Sequence, residues 1–165
     1  MEKQREQVLS QGLVAGLIGY ATVALFFVVV DVLFGRAAFY TPALIGGALF
    51  YGLRDPSELV VWAGPVFSYN GVHLLLFLAL GALAAWLARF SERAHQLWYV
   101  GLSLFLFVLL HLQGAVLMLT ERVRESLSTW QVLVAGLAAG VTMCGYLLWT
   151  HPKLRREFRE YREEE

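Results

Sequence analysis

The sequence predicts an all-α fold, an integral membrane four-helix bundle with short interfacial helices in the first outer loop. Hydrophobic residues make up 58% of the 165 residues and charged residues 16%, whereas soluble domains average roughly 25% charged residues. The chain contains four long apolar runs, each close to the about 20 residues that a membrane-spanning helix requires. These runs are continuously apolar, while the strands of a membrane barrel alternate between apolar and polar residues.

The four predicted spans lie in a single transmembrane domain, 1–165, and cover residues 13–34, 67–90, 97–119 and 129–150. A backbone segment in lipid must satisfy its own polar groups, so each run is expected to be helical. Tryptophan is enriched where a bilayer meets water. The tryptophans lie near the ends of these runs, at Trp62, Trp86, Trp98, Trp130 and Trp149.

Lysine and arginine predict the orientation, because they are enriched in cytoplasmic loops. With four spans, the N-terminus, the second connector and the C-terminal tail (151–165) share one side. That side carries Lys3, Arg5, Arg89, Arg93, Lys153, Arg155, Arg156, Arg159 and Arg162, and the opposite side carries Arg36, Arg54, Arg122 and Arg124. Much of the difference comes from the tail. The bias predicts a multi-pass protein of the bacterial inner (plasma) membrane with both termini in the cytoplasm.

The first outer connector, 35–66, is much longer than the other two and is predicted to form a lid over the outer end of the bundle. Thr41 and Pro42 have the pattern of a helix start, since threonine is a good N-cap and proline suits the first helical residue. We expect a short helix over 43–51, with Gly52 as its stop.

A second short helix is predicted later in the same connector. Asp55 and Glu58 have the spacing of a capping box, and they would open a helix over 59–63 that ends at Gly64 and Pro65. Neither helix is long enough to span a bilayer. Both are therefore expected in the outer interface, where they either gate the bundle or simply pack on it.

Four polar residues inside the predicted spans form the candidate site: Asp31, Asn70, His73 and His111. Polar groups in the hydrocarbon region are costly, so they are the first place to look for function. At about 1.5 Å of rise per residue, all four lie in the outer half of the bilayer. Asn70 and His73 share one helix face, and we expect all four residues to point into the bundle.

Several chemistries fit this cluster. His73 and His111 would suit the axial ligands of a b-type haem held between facing helices. Asp31 and both histidines would suit a metal ion, since two imidazoles and a carboxylate form such sites. A quinone or another substrate is a further candidate partner. The favoured interpretation is that the residues hydrogen-bond one another, with an Asp–His pair neutralising the buried charge.

Composition and motifs argue against several classes of function. The 13 basic and 13 acidic residues balance, so no overall field favours nucleic acid. The single cysteine, Cys144, cannot form an intrachain disulfide. The sequence contains none of the common hydrolase, metalloprotease or nucleotide-binding motifs, so no catalytic residue is assigned and an enzyme is not expected. The pairs Gly12–Gly16 and Gly136–Gly140 are typical of close helix packing, within one chain or between chains.

The stretch from Phe39 to Gly52, FYTPALIGGALFYG, followed by Tyr69, Asn70 and His73, resembles a pattern in small uncharacterised four-span bacterial membrane proteins. The resemblance covers the outer connector and the start of the second span. It implies the four-span architecture and carries over no activity.

We therefore expect a non-catalytic integral membrane protein. It would be an accessory or structural subunit of a larger membrane complex, or a homo-oligomer, with the lipid bilayer and other membrane subunits as partners. One alternative is a b-type haem-binding electron-transfer subunit that uses His73 and His111. Another is a small transporter or channel component, which is weaker because the inner half lacks the polar residues that would continue a pathway.

Overall fold

All regular elements of the described residues are helices. The computed structural model describes residues 2–94, 106, 110, 114, 117–152 and 156. In chain order the elements are α1 (Glu2–Leu33), α2 (Tyr40–Phe50), a 3₁₀ turn (Pro56–Glu58), α3 (Ala63–Ala94), α4 (Glu121–Glu125) and α5 (Thr129–Thr150). The all-α part of the prediction is confirmed. Most of the predicted third span, 97–119, lies outside the described residues, which include only 106, 110, 114 and 117–119 of it.

Among the described residues, three helical segments are long and apolar enough to cross a membrane: Glu6–Leu33, Ala63–Phe90 and Thr129–Thr150. They correspond to predicted spans one, two and four. The last has the predicted bounds, while the first two begin earlier because each helix starts before its apolar run. We call the end of the bundle where α1 ends and α3 and α5 begin the lid end, and the opposite end the tail end.

Helices α1 and α3 run antiparallel and approach each other most closely at glycines. A Cβ atom on Gly12 would lie 2.6 Å from the Cα of Ala82. A Cβ on Gly16 would overlap the carbonyl oxygen of Phe77, and one on Gly81 would overlap the backbone of Gly12 and Gly16. The Gly12–Gly16 pair therefore packs against α3 of the same chain and not against a helix of a second chain.

Helix α5 packs against α1. A Cβ atom on Gly19 would lie 2.5 Å from Sδ of Met143, and the hydroxyls of Thr22 and Thr142 share a hydrogen bond of 3.1 Å. By contrast, no described atom lies within 4 Å of the Cβ position of Gly140. Within the described residues, the main hydrophobic core therefore lies between α1, α3 and α5.

Helix α2 lies across the lid ends of α1 and α3. Its Thr41 bonds to Asp31, in the last turn of α1, and a Cβ on its Gly46 would overlap the carbonyl oxygen of Pro65, in the first turn of α3. Five residues of helix rise about 7.5 Å, close to the roughly 8–10 Å between the axes of packed helices. Helix α2 thus spans the distance between the lid end of α1 and the lid end of α3.

A second hydrophobic core joins α2 to α4 at the lid end. Its buried members are Leu44, Ile45, Leu119, Val123 and Leu127. Across the edge of this core, Arg122 donates a hydrogen bond to Asp55 at 2.9 Å. The lid is therefore built from two connectors, the one between α1 and α3 and the one that precedes α5.

The boundaries of α2 are partly as predicted. The helix begins at Tyr40 and its N-cap position is Phe39, with no side-chain cap bond, so the assignment of Thr41 as N-cap is wrong. The stop at Gly52 is confirmed, because this residue has a φ of 73° shortly after the helix ends. Glycine adopts this left-handed conformation without a steric penalty.

The second lid helix is shorter than predicted. Asp55 does start a helical turn, since it accepts the backbone N–H of Ser57 at 2.9 Å. That turn ends after three residues, and residues 59–62 are not helical, so the predicted helix over 59–63 is wrong. Pro65 belongs instead to the first turn of α3, where a missing N–H leaves no helical hydrogen bond unmade.

Candidate functional site

The carboxylate of Asp31 joins α1 to α2 through two hydrogen bonds. Asp31 is 0% exposed. Its Oδ2 accepts the backbone N–H of Thr41 at 2.8 Å, and its Oδ1 accepts the Thr41 hydroxyl at 2.7 Å. The first N–H groups of a helix have no partner inside that helix, and the helix N-terminus carries a partial positive charge that favours an anion. Asp31 therefore caps α2 from a neighbouring helix.

The turn after α1 brings Thr41 to Asp31. Gly35 has a φ of 70°, and the N–H of Arg36 donates to the Asp31 carbonyl at 2.8 Å. The guanidinium of Arg36 then lies over the Tyr40 ring, 4.9 Å from its centroid. This reversal sets the first turn of α2 beside the last turn of α1, so residues 31 and 41 meet.

Asn70 joins α3 to α1 through Tyr20. The Tyr20 hydroxyl donates to Oδ1 of Asn70 at 2.9 Å. Nδ2 of Asn70 donates to the Val66 carbonyl at 2.8 Å, one turn earlier in the same helix. Both ends of the amide are therefore used, which fixes its orientation. Asn70 therefore links α3 to α1.

His73 is buried among aromatic rings. Its Nδ1 shares a hydrogen bond of 2.5 Å with the Tyr69 hydroxyl. Its ring stacks on Phe77, with centroids 5.0 Å apart and planes within 10°, and it meets the Tyr20 ring edge-on at 6.0 Å. These neighbours fix the orientation of the imidazole, so the inward direction predicted for His73 is confirmed.

Within the described residues, Asp31 bonds to Thr41 and not to His73. Both of its oxygens accept hydrogen bonds from Thr41, so no Asp31–His73 pair forms, while a pair with His111 lies outside the described residues and stays a prediction. Asp31 lies about 3 Å from the end of α1, whereas His73 lies about 15 Å into α3. The polar residues thus form two layers, an Asp31–Thr41 layer at the lid end and a deeper layer around Asn70 and His73.

The two ligand hypotheses that need His111 stay predictions. His111 lies outside the described residues, so the structure does not test the His73–His111 pair for a b-type haem. The same holds for a metal ion held by Asp31 and both histidines. Within residues 2–94 and 117–152, no group of three or more His, Cys, Asp or Glu side chains is arranged to hold a metal ion.

A pocket of about 40 Å³ lies between the two polar layers. Its lining residues are Tyr20, Val23, Ala24, Phe27, Val28, Phe39, Thr41, Pro42, Tyr69, Asn70 and His73. Helix α1 supplies most of the apolar wall, the start of α2 forms the roof, and α3 supplies most of the polar groups. One water molecule needs roughly 10–15 Å³, so the pocket is the size of a few water molecules.

Outside the long helices, Asp55 connects the lid to α4. Its side chain accepts the Ser57 hydroxyl at 2.7 Å and the Ser57 N–H at 2.9 Å, and it forms a salt bridge with Arg122 at 2.9 Å. The hydrogen bonds from Ser57, followed by the hydrogen bond and charge of Arg122, lower the pKa of Asp55. The carboxylate is therefore ionised at neutral pH.

Three hydroxyl residues of the site were not assigned to it from the sequence: Tyr20, Thr41 and Tyr69. Tyr69 lies one turn before His73, a spacing that brings side chains together on a helix, so it carried a usable signal. Tyr20 and Thr41 carried none that was specific. Their contacts depend on how α1 packs against α3 and on the reversal that precedes α2.

Comparisons with protein-family models, with curated proteins and with solved structures give no match for this chain. The resemblance to four-span bacterial membrane proteins therefore stays a prediction.

Proposed function

We propose that the chain is a non-catalytic integral membrane protein of the bacterial inner membrane, with four spans and both termini in the cytoplasm. It would act as an accessory or structural subunit of a larger membrane complex, or as a homo-oligomer. The observation that carries this proposal is how the polar side chains of the long helices are used. They join helices to one another in the pairs Asp31–Thr41, Tyr20–Asn70 and Thr22–Thr142.

The outer faces of the long helices support contact with lipid. Large apolar side chains are exposed on all three, for example Leu25 on α1, Leu75 on α3 and Val141 on α5. Soluble monomers rarely expose contiguous apolar patches beyond a few hundred Å². Faces of this kind suit acyl chains or the helices of a partner subunit.

The tail-end half of α1 and α3 favours a structural role over transport. The two backbones touch at Gly12, Gly16 and Gly81, so no pathway runs between these helices. Among the described residues, the buried polar side chains of α1 and α3 are Asp31 and His73, and both lie in the lid-end half of their helix. A transport route needs polar groups along its length. The distribution of polar side chains therefore favours a non-catalytic subunit over a transporter.

Reporter fusions test the topology. Green fluorescent protein fused after Glu165 should be fluorescent, because it folds in the cytoplasm. Alkaline phosphatase inserted after Ser57, in the lid, should be active, because it folds only outside. The opposite pattern would refute the orientation, and recovery of the chain in the soluble fraction would refute membrane integration.

Blue-native electrophoresis of membranes that carry a tagged copy of the chain tests the subunit role. We expect migration well above the monomer, with mass spectrometry separating a partner complex from a homo-oligomer. Migration as a lone monomer would contradict the proposal. An absorbance spectrum of the same purified sample addresses haem: a Soret band lost in both His73→Ala and His111→Ala would favour the electron-transfer alternative.

A further inference from the structure

The pocket between α1, α2 and α3 has the composition of a small-molecule site. Its wall is apolar where Val23, Ala24 and Phe27 line it. Its lining also includes Tyr20 and Asn70, which share a hydrogen bond, and the imidazole of His73. Ligand sites are generally apolar with a few placed polar groups that orient the ligand.

The polar groups that line the pocket favour an uncharged ligand. The nearest carboxylate, Asp31, has both oxygens bonded to Thr41 and does not line the pocket. Asn70 lines it with an amide that has two N–H donors, one of which goes to the Val66 carbonyl. The amide is therefore suited to donate to a carbonyl oxygen, and the lining residues offer no cation for a phosphate.

The shape of the pocket favours a flat ring. Aromatic side chains of both long helices line it, Tyr20 and Phe27 from α1 and Tyr69 from α3. Aromatic faces and edges pack well against planar rings. An apolar tail attached to such a ring would remain among the apolar side chains that face lipid.

The pocket is too small to hold a ring unless one of its lining residues moves. At about 40 Å³ it is smaller than the roughly 150 Å³ cavity that admits benzene, so a wall residue must move to admit a ring. Phe39 is the candidate, because it is 50% exposed and precedes the helix, whereas Phe27 and Thr41 are buried. Rotation of the Phe39 side chain toward lipid would enlarge the pocket without moving α2.

We infer that this pocket binds the ring of an uncharged, membrane-dissolved quinone, with Asn70 donating to a ring carbonyl and Phe39 turning outward to admit it. The inference concerns binding and includes no electron transfer. It goes beyond the proposed subunit role, and topology and complex size do not depend on its outcome.

Photolabelling of the purified full-length chain in phosphatidylcholine liposomes tests the inference. The probe is an azido-quinone with a decyl tail, and decylubiquinone is the competitor. We expect saturable, competed labelling of peptides that contain Tyr20, Phe39 or Asn70. Asn70→Leu should weaken binding about tenfold, since it removes one hydrogen bond to the ligand. Phe39→Ala should strengthen it severalfold, because the gate is removed.

Phe34→Ala is the matched control. Phe34 is also an exposed aromatic, 58% exposed, in the turn directly after α1, but it does not line the pocket, so its removal should leave binding unchanged. Equal effects of Phe39→Ala and Phe34→Ala would overturn the inference. So would labelling that is not saturable, that maps elsewhere, or that an excess of free fatty alcohol competes as well as decylubiquinone does. The two phenylalanines are exposed, so these variants keep the test valid if Asn70→Leu does not fold.

Discussion

Replacing Thr41 with valine would test whether Asp31 holds the lid in place. Valine has the shape of threonine without the hydroxyl, so Oδ1 of Asp31 would lose the donor that now lies at 2.7 Å. The bond from the Thr41 backbone N–H to Oδ2, at 2.8 Å, would remain. Because Asp31 is 0% exposed, water cannot replace the lost donor unless the lid moves.

The expected loss of stability in Thr41→Val depends on the charge of the acceptor, the Asp31 carboxylate. Hydrogen bonds to charged groups contribute about 1.5–3 kcal/mol, while neutral interhelical bonds in membrane proteins average about 0.6 kcal/mol. One of the two bonds to Asp31 is lost in Thr41→Val, so the free energy of unfolding should fall by about 2 kcal/mol. This is a change of about thirtyfold in the folding equilibrium constant.

Asp31→Asn should be milder, although it removes the charge. The amide oxygen can accept the Thr41 N–H, and the amide nitrogen can donate to the Thr41 hydroxyl, which is both donor and acceptor. Both bonds are kept in neutral form, and the favourable charge at the α2 N-terminus is lost. We expect a loss of about 1 kcal/mol, so Thr41→Val should be the more damaging of the two.

The assay is unfolding by sodium dodecyl sulfate in dodecyl maltoside micelles, followed by circular dichroism. Thr22→Val is the control, because the Thr22 hydroxyl bonds only neutral partners, the Ile18 carbonyl at 2.8 Å and the Thr142 hydroxyl at 3.1 Å. It should cost less than about 1 kcal/mol. If Thr41→Val costs no more than Thr22→Val, the carboxylate does not hold α2 and the reasoning fails.

Three other expectations can be checked by the same titration. Gly46→Ala should destabilise the fold by about 1–3 kcal/mol through overpacking, because the new Cβ would overlap the Pro65 carbonyl oxygen. At Gly71, no described atom beyond its own turn of helix lies within 4 Å of the Cβ position, so Gly71→Ala should stabilise α3 by up to about 1 kcal/mol. If Gly71→Ala proved more destabilising than Gly46→Ala, the packing would be contradicted. The lowered pKa of Asp55 means that its carboxylate stabilises the fold above its unfolded pKa of about 3.9. This contribution disappears as pH falls through the folded pKa. The parent and Asp55→Asn should therefore differ at neutral pH and converge in acid, and a gap that widens on acidification would show the sign to be wrong.

The long helices could be predicted because apolar composition along the chain is a local property. The predicted span over 129–150 has the bounds of α5. The start of α3 was misplaced because a Gly–Pro pair fits both the end of one helix and the first turn of the next. Local sequence does not distinguish these two cases. In the structure, residues 59–62 are not helical and α3 begins at Ala63, so Pro65 belongs to α3.

The burial of Asp31 and His73 could be predicted as well, because polar residues in an apolar helix favour the interior. Their partners could not. Thr41 reaches Asp31 through the reversal at Gly35. Tyr20 reaches Asn70 because the glycine contacts near the tail end set how far α1 is shifted along α3.

Helix α2 depends on the rest of the protein for its stability, and this affects how any activity is assigned. It has 11 residues, and isolated helices shorter than about 12–15 residues are marginal even with favourable sequences. The Asp31 cap, the burial of Leu44 and the backbone contact at Gly46 hold it instead. Loss of complex assembly or of ligand binding in an Asp31 variant is therefore explained first by a displaced lid. If complex assembly or ligand binding survives in Asp31→Asn and is lost in Thr41→Val, then that property depends on the position of α2 and not on the charge of Asp31. The reverse pattern would give the carboxylate a role beyond holding the lid.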